Sequence, residues 1–232
     1  MVKEMRQDFR KQKEAAVDAL KAEGVLRSPS VIRAMLNVPR EEFLPNDVKQ
    51  YAYADTPLPI GYGQTTSALH MTAIFCEYGE LKVGQKVLEV GAGCGYMSCV
   101  YAEVVAPTDL PKEKWGHVWT VEIIEELVES ARRNLEKSSY YDRVTVIHGD
   151  GSIGLKESSP YDVIIVTSAA PDIPDELVEQ LKPNGVLLIP VGGMHFYQEL
   201  VRVRKHPDGT TSRQSLGGVA FVPMRGKAGW KS

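Results

Sequence analysis

Through the first two dozen residues, apolar side chains recur at Phe9, Ala16, Val17 and Leu20 in a charged, helix-favouring background. The spacing predicts an amphipathic helix from Met1 that stops at Gly24. Ser28-Pro29-Ser30 then restarts the pattern. Ser28 suits an N-cap before Pro29, and Val31, Ile32, Met35 and Leu36 form the buried stripe of a second helix ending before Pro39. Between Phe43 and Gln64 the periodicity disappears. Pro45, Pro57, Pro59, Gly61 and Gly63 interleave with Tyr51, Tyr53 and Tyr62, which rules out a helix and predicts a long ordered loop. Helical spacing returns from Ser67, with Met71, Ile74, Phe75 and Tyr78 along one side and Gly79 at the end.

The next hundred or so positions alternate strictly. Strands are predicted at Lys86 to Val90, His117 to Glu122, Val144 to His148, Tyr161 to Thr167 and Gly185 to Val191. Helices are predicted at Tyr96 to Val105, Ile124 to Lys137 and Pro174 to Leu181. Such alternation implies a parallel sheet covered on both faces, because each crossover buries a helix against it. Gln198 to Arg204 and Gly218 to Val222 read as a final hairpin at the sheet edge, joined through Pro207-Asp208-Gly209. The expected class is α/β: a Rossmann-like, doubly wound, mostly parallel sheet with an N-terminal helical cap and a C-terminal edge hairpin. Residues 1–66 would supply the cap and a loop, and residues 67–232 the core, as one structural unit.

Composition narrows the partners. Hydrophobic residues make up 43% and charged residues 25% of 232 positions, a balance suited to one globular domain with a sizeable core. With 27 Lys and Arg against 30 Asp and Glu, the net charge of -3 offers no positive field for a polyanion, so nucleic acid is not expected as a partner. The charged stretch Met1 to Glu14 has no secretion-signal core, and no apolar run reaches about 18 residues. A cytoplasmic protein without a membrane partner is the expectation. Cys76, Cys94 and Cys99 are odd in number and lack zinc spacing, so they read as reduced thiols and no metal is expected.

Three strand tips carry the chemistry. Val87 to Val90 runs into Gly91-Ala92-Gly93-Cys94-Gly95, and those glycines let the backbone approach a ligand at the carboxyl edge of the sheet. Tyr96 occupies the third-glycine position of a dinucleotide fingerprint, which disfavours NAD and a nucleotide-dependent oxidoreductase. Glu122 ends the second strand, where its carboxylate can accept both ribose hydroxyls. Asp150, between Gly149 and Gly151, can accept an adenine amine. Together the three tips describe a pocket for an adenosyl group without pyrophosphate, as in S-adenosylmethionine.

One stretch resembles a narrower group. Asp55-Thr56-Pro57-Leu58-Pro59-Ile60-Gly61-Tyr62-Gly63-Gln64-Thr65-Thr66-Ser67 looks like the signature of the protein L-isoaspartate O-methyltransferases, within the class I S-adenosylmethionine-dependent methyltransferases. Val38 to Phe43, Gly149 to Gly151, Ala169-Ala170-Pro171, Leu181 to Gly185 and Phe221-Val222-Pro223 follow the family in order, so the similarity spans about Pro29 to Gly226. Cys94, Thr66 and Leu69 depart from the common Ser, Ile and Pro, and Pro107 to Trp115 is an insertion read as a surface loop. The resemblance implies that Ser67 is the active-site hydroxyl. It also implies that Thr65, Thr66 and His70 border the cofactor or substrate, and that Glu89, Gly91, Gly93, Glu122, Ile123, Asp150 and Gly151 hold S-adenosylmethionine.

The implied reaction methylates the free α-carboxylate of L-isoaspartyl residues in damaged proteins and peptides, leaving S-adenosyl-L-homocysteine. That carboxylate is ionised at neutral pH, so no general base is needed and Ser67 would orient it, with the loop from Tyr53 to Thr66 closing over it. A plainer reading has Ser67 capping the helix that begins at Ala68. Two other functions compete: a class I methyltransferase with a different substrate, and a binding module that keeps the cofactor. His117, His195 and His206 read as solvated or locally bonded, and Trp115, Trp119 and Trp230 as packing residues. Oligomeric state stays open.

Overall fold

Val87-Leu88 and Val163-Ile164-Ile165-Val166 carry apolar side chains on both faces, and such strands persist only where both faces are covered. The computed structural model, which describes residues 2–193 and 197–231, places them at the centre of the sheet. His195 lies outside the described residues.

In chain order the helices are α1 (Val2–Ala22), α2 (Pro29–Asn37), α3 (Leu69–Tyr78), α4 (Tyr96–Val105), α5 (Glu125–Lys137) and α6 (Asp175–Glu179). The strands are β1 (Leu58–Gly61), β2 (Gln64–Thr66), β3 (Lys86–Val90), β4 (His117–Glu122), β5 (Val144–His148), β6 (Tyr161–Val166), β7 (Leu181–Gly192), β8 (Gln198–Lys205) and β9 (Thr211–Val219). A seven-stranded sheet runs β5-β4-β3-β6-β7-β8-β9. The strands β3 to β7 pair in parallel, whereas β8 is antiparallel to both β7 and β9. Strand order changes direction between β3 and β6. At such a switch point the crevice beyond the carboxyl ends is open to a ligand.

All ten residues of α4 are buried, as an apolar helix must be when it lies between a sheet and a second helical layer. A single cluster of buried side chains takes in Phe9, Val17 and Leu20 of α1, Val31 and Met35 of α2, Val100 and Val104 of α4, and Leu58 and Ile60 of β1.

Four expectations shift. The stretch from Phe43 to Gln64 is not a plain loop: β1 and β2 form a hairpin, with two short 3-10 turns at Arg40–Glu42 and Lys49–Tyr51 close before it. Its tight turn places Tyr62 at φ 55° and Gly63 at φ 70°, the paired positive angles that match the twist of a two-residue hairpin. Ser28 stands at the N-cap of α2 without capping it. Its hydroxyl donates to Glu77 Oε2 at 2.6 Å, while Glu77 Oε1 accepts the Arg27 and Ser28 backbone N–H groups at 2.8 and 2.7 Å, tying α2 to α3. Leu181 opens β7 rather than closing α6. The last strand is Thr211–Val219 instead of Gly218 to Val222, and its residues are mostly exposed on both faces, leaving no hydrophobic alternation to read.

The insertion from Pro107 to Trp115 is fastened by its own tryptophan. Trp115 Nε1 donates to the carbonyls of Pro107 and Leu110 at 3.1 and 2.9 Å, and the Arg143 guanidinium stacks 4.5 Å above the ring.

Candidate active site

Each tip of β3, β4 and β6 contributes to one cleft. It takes in about 580 Å³ of empty space, open solvent at its mouth included. Gly91 and Gly93 from β3, Glu122 and Ile123 from β4, Gly151 after β5, and Thr167 and Ser168 after β6 line it, together with Thr65. Gly91 is required: at φ 101° a Cβ would stand 2.3 Å from Thr167 Oγ1, which itself bonds the Val90 and Gly91 carbonyls at 3.0 and 2.9 Å.

The Glu122 carboxylate is fixed by backbone. Oε2 accepts from Gly93 N at 3.0 Å, and Oε1 from Ile123 N and Ile124 N at 2.9 and 3.0 Å. A carboxylate has about four lone-pair positions, so one remains, on Oε2. Asp150 does not line this cleft. Its Oδ1 accepts from Ser152 N and Oγ at 2.9 and 2.6 Å, and Oδ2 from Lys227 N at 2.8 Å. The carboxylate thus holds the returning C-terminal segment, where Gly226 has φ 105° and a Cβ would fall 2.0 Å from Oδ1. Trp230 Nε1, bonded to the Ala169 carbonyl at 3.0 Å, pins the same segment. Held so, Val222 to Arg225 form the remaining wall of the cleft.

A narrower slot opens between Thr65, Thr66 and Ser67 on one side and Glu89, Gly91 and Gly93 on the other. Glu89 is wholly buried. Its Oε2 accepts from Ser98 and from Thr120 (2.7 Å), while Oε1 has no partner among the described residues. Burial pushes its carboxyl up to about 7, against the pull of those two hydroxyls.

The second cleft, about 1060 Å³ of empty space, lies on the other side of Thr65 and Thr167. Ser67, His70, Met71, Tyr197 and Gly218 to Val222 line it. Ser67 borders both this cleft and the slot, whereas His70 borders the second cleft and not the first. The N-cap of α3 is Ala68, and no side-chain cap bond forms there, so Ser67 is not serving as a helix cap. What fixes Ser67 is Arg40. This buried arginine donates from Nη2 to the Ser67 carbonyl at 2.8 Å and stacks 5.5 Å over the Tyr96 ring, with Nε and Nη1 unpartnered among the described residues.

Sequence reasoning missed Thr167, Ser168, Val222 to Arg225 and Arg40 as parts of the site. The strand-tip logic that found Glu122 applies equally to Thr167, one step beyond β6. No local signal marks Arg225, which reaches the cleft only because the chain returns to pair Pro223 with Ala169. The expected lid from Tyr53 to Thr66 is packed down, with Leu58 and Ile60 in the core.

Outside this region, His117 Nε2 meets Thr145 Oγ1 at 2.8 Å and His206 Nε2 meets Ser212 Oγ at 3.0 Å, local bonds in both cases. Cys76, Cys94 and Cys99 are buried and free. Among the described residues, no group of His, Cys, Asp and Glu is placed to hold a metal ion, and no helix is long and apolar enough to cross a membrane.

Comparison with known proteins gives this geometry a family. A relative named protein-L-isoaspartate O-methyltransferase from Hyperthermus butylicus is 56% identical over 223 residues, covering 96% of this chain and 92% of its own. One of the same name from Methanothermobacter thermautotrophicus is 52% identical, covering 93% and 95%. Among solved structures, a candidate protein-L-isoaspartate O-methyltransferase from Plasmodium falciparum, in complex with S-adenosyl-L-homocysteine, superposes with a TM-score of 0.80 at 27% identity over 92% of this chain and 98% of that one. A second structure named protein-L-isoaspartate O-methyltransferase gives 0.82 at 32% identity, over 94% and 67%. The family model described as Protein-L-isoaspartate(D-aspartate) O-methyltransferase (PCMT) matches residues 11–229, and the chain belongs to that family.

Proposed function

We propose that the chain transfers a methyl group from S-adenosylmethionine to the free α-carboxylate of L-isoaspartyl residues in proteins and peptides. Family membership supports the activity, and one observation carries its location: Ser67 borders both the slot and the second cleft. The residue therefore stands at the border of the two spaces, where its hydroxyl would meet a group in either.

The residues of the first cleft and slot fit the cofactor. Glu89 Oε1, buried without a partner, suits an ammonium group, and a cation there would return the carboxyl to its ionised form. Glu122, held rigid by three backbone donors, offers Oε2 to one ribose hydroxyl. Ile123 and Gly151 flank the space for the base. When bound, the cofactor supplies a methyl group already activated by its positive sulfur.

On the other side, the substrate carboxylate is ionised at neutral pH and needs no base to remove a proton. Ser67 donates a hydrogen bond that turns one carboxylate oxygen toward the slot, and Thr65 and Thr167 bound the gap through which it points. Alignment of this kind is worth up to roughly 7 to 11 kcal/mol of barrier. The ester formed has a better leaving group, so the neighbouring backbone nitrogen can displace methanol and close a succinimide whose hydrolysis yields some normal aspartate.

The test is labelled methyl transfer to an isoaspartyl peptide and to its aspartyl twin. Label on the first alone is expected; equal label on both removes the substrate assignment, and label on neither leaves a methyltransferase of another substrate.

A further inference from the structure

We propose that Asp55 is a positioning residue for the peptide substrate and acts through His70. This rests on reading the second cleft as the peptide side of the site. Both Asp55 carboxylate oxygens lie 3.0 Å from His70 Nδ1, and Oδ1 also accepts the His70 backbone N–H at 2.9 Å. One side chain thus satisfies a free donor in the first turn of α3 and clamps the ring of the residue that carries it.

The clamp sets the chemistry of the ring. An ionised carboxylate only accepts hydrogen bonds, so the nitrogen facing it carries a proton in the neutral and charged forms alike. Nδ1 is thereby committed to Asp55, and Nε2 is the ring atom left for a ligand. His70 lines the second cleft three residues after Ser67. Among the described residues that line the cleft the others are Pro57, glycine, hydroxyl groups, Tyr197 and apolar side chains, so His70 is the one basic group among them. A substrate that brings a free carboxylate and a bare peptide unit has polar groups to match it, whereas Ser67 alone serves one carboxylate oxygen. Asp55 lies in the signature stretch but lines neither cleft nor the slot, so its effect passes through the imidazole.

The experiment compares the full-length wild type with Asp55→Asn, Asp55→Ala, His70→Ala and the double alanine variant. Readouts are initial rates with an isoaspartyl peptide, S-adenosyl-L-homocysteine affinity by calorimetry, and melting temperature. Asparagine keeps an acceptor for the His70 N–H but can turn its amide N–H toward Nδ1 and move the ring proton to Nε2. Asp55→Asn is expected to lower peptide kcat/KM at least tenfold, mainly through KM, with cofactor affinity and melting temperature nearly unchanged. The double variant should be no worse than His70→Ala by more than twofold, because contacting residues in one chain of action are not additive. Peptide KM within twofold of wild type in Asp55→Asn, losses that multiply in the double variant, or a parallel fall in cofactor affinity and melting temperature would each overturn the proposal. A wild type that labels no isoaspartyl peptide removes the substrate reading itself, a separate failure seen before any variant is measured.

Discussion

The two clefts share Thr65, Thr167 and Val222, yet they are made from different kinds of structure. The first gathers the carboxyl ends of parallel strands, where backbone geometry is repeated from tip to tip. The second is assembled from the β1–β2 hairpin, the first turn of α3, the end of β9 and the residues that follow it, none of which repeats. Regular elements suit a ligand that is always the same molecule. A protein substrate differs in every case except at the damaged residue, and the irregular half carries the few groups, Ser67 and His70, that can meet it.

If the division holds, variants on the two sides should separate in what they damage. The largest effect is expected for Ser67→Ala: turnover falls about 100-fold through misalignment, while calorimetric affinity for S-adenosyl-L-homocysteine stays within twofold. Unchanged turnover would leave the peptide side without its central hydroxyl.

Next comes Glu89→Gln, which reports on the cofactor side. The wild-type carboxyl is held near 7 by burial, so binding of a cation beside it expels a proton, and affinity should weaken as pH falls below 7. Glutamine should bind the cofactor about tenfold more weakly at pH 8, the size expected for losing a charge-assisted bond, and should lose that pH dependence. Calorimetry in two buffers of different ionisation heat tests it; equal proton release from both proteins at pH 6.5 would break the assignment. The empty enzyme should respond too. A carboxyl raised on folding from 4.5 to about 7 favours the folded state fully below 4.5, and that contribution is lost as pH rises through 7. Glutamine removes this loss, so the empty variant should melt higher than wild type at pH 8.

The smallest effect is expected for Arg40→Met. A buried guanidinium bonded only to the Ser67 carbonyl is costly to keep, and an apolar side chain of similar volume is often as stable or more so. Peptide KM should rise about threefold with no fall in melting temperature, a modest loss in keeping with one hydrogen bond. A lower melting temperature with unchanged kinetics would make Arg40 a fold residue.

The same division decided what could be read in advance. Alternating strands and helices fixed the central sheet, and the tips of β3 and β4 led to Gly91 and Glu122. Asp150 was found at the right tip but with its carboxylate turned to Ser152 and Lys227, because no local pattern announces where residues 222–230 return. The hairpin at Tyr62-Gly63 escaped notice since strands of three or four residues with prolines show no alternation. Arg40, far from Ser67 in sequence, touches it only through the packing of the helical cap.

Thr65 and Thr167 form a shared wall, and the space on either side of it is partly open. If each space takes its own ligand, donor and acceptor would meet at that wall, and neither would have to depart before the other could enter. A methylated protein could then leave while the spent nucleoside stays in place, with the order of arrival and exit set by relative affinities.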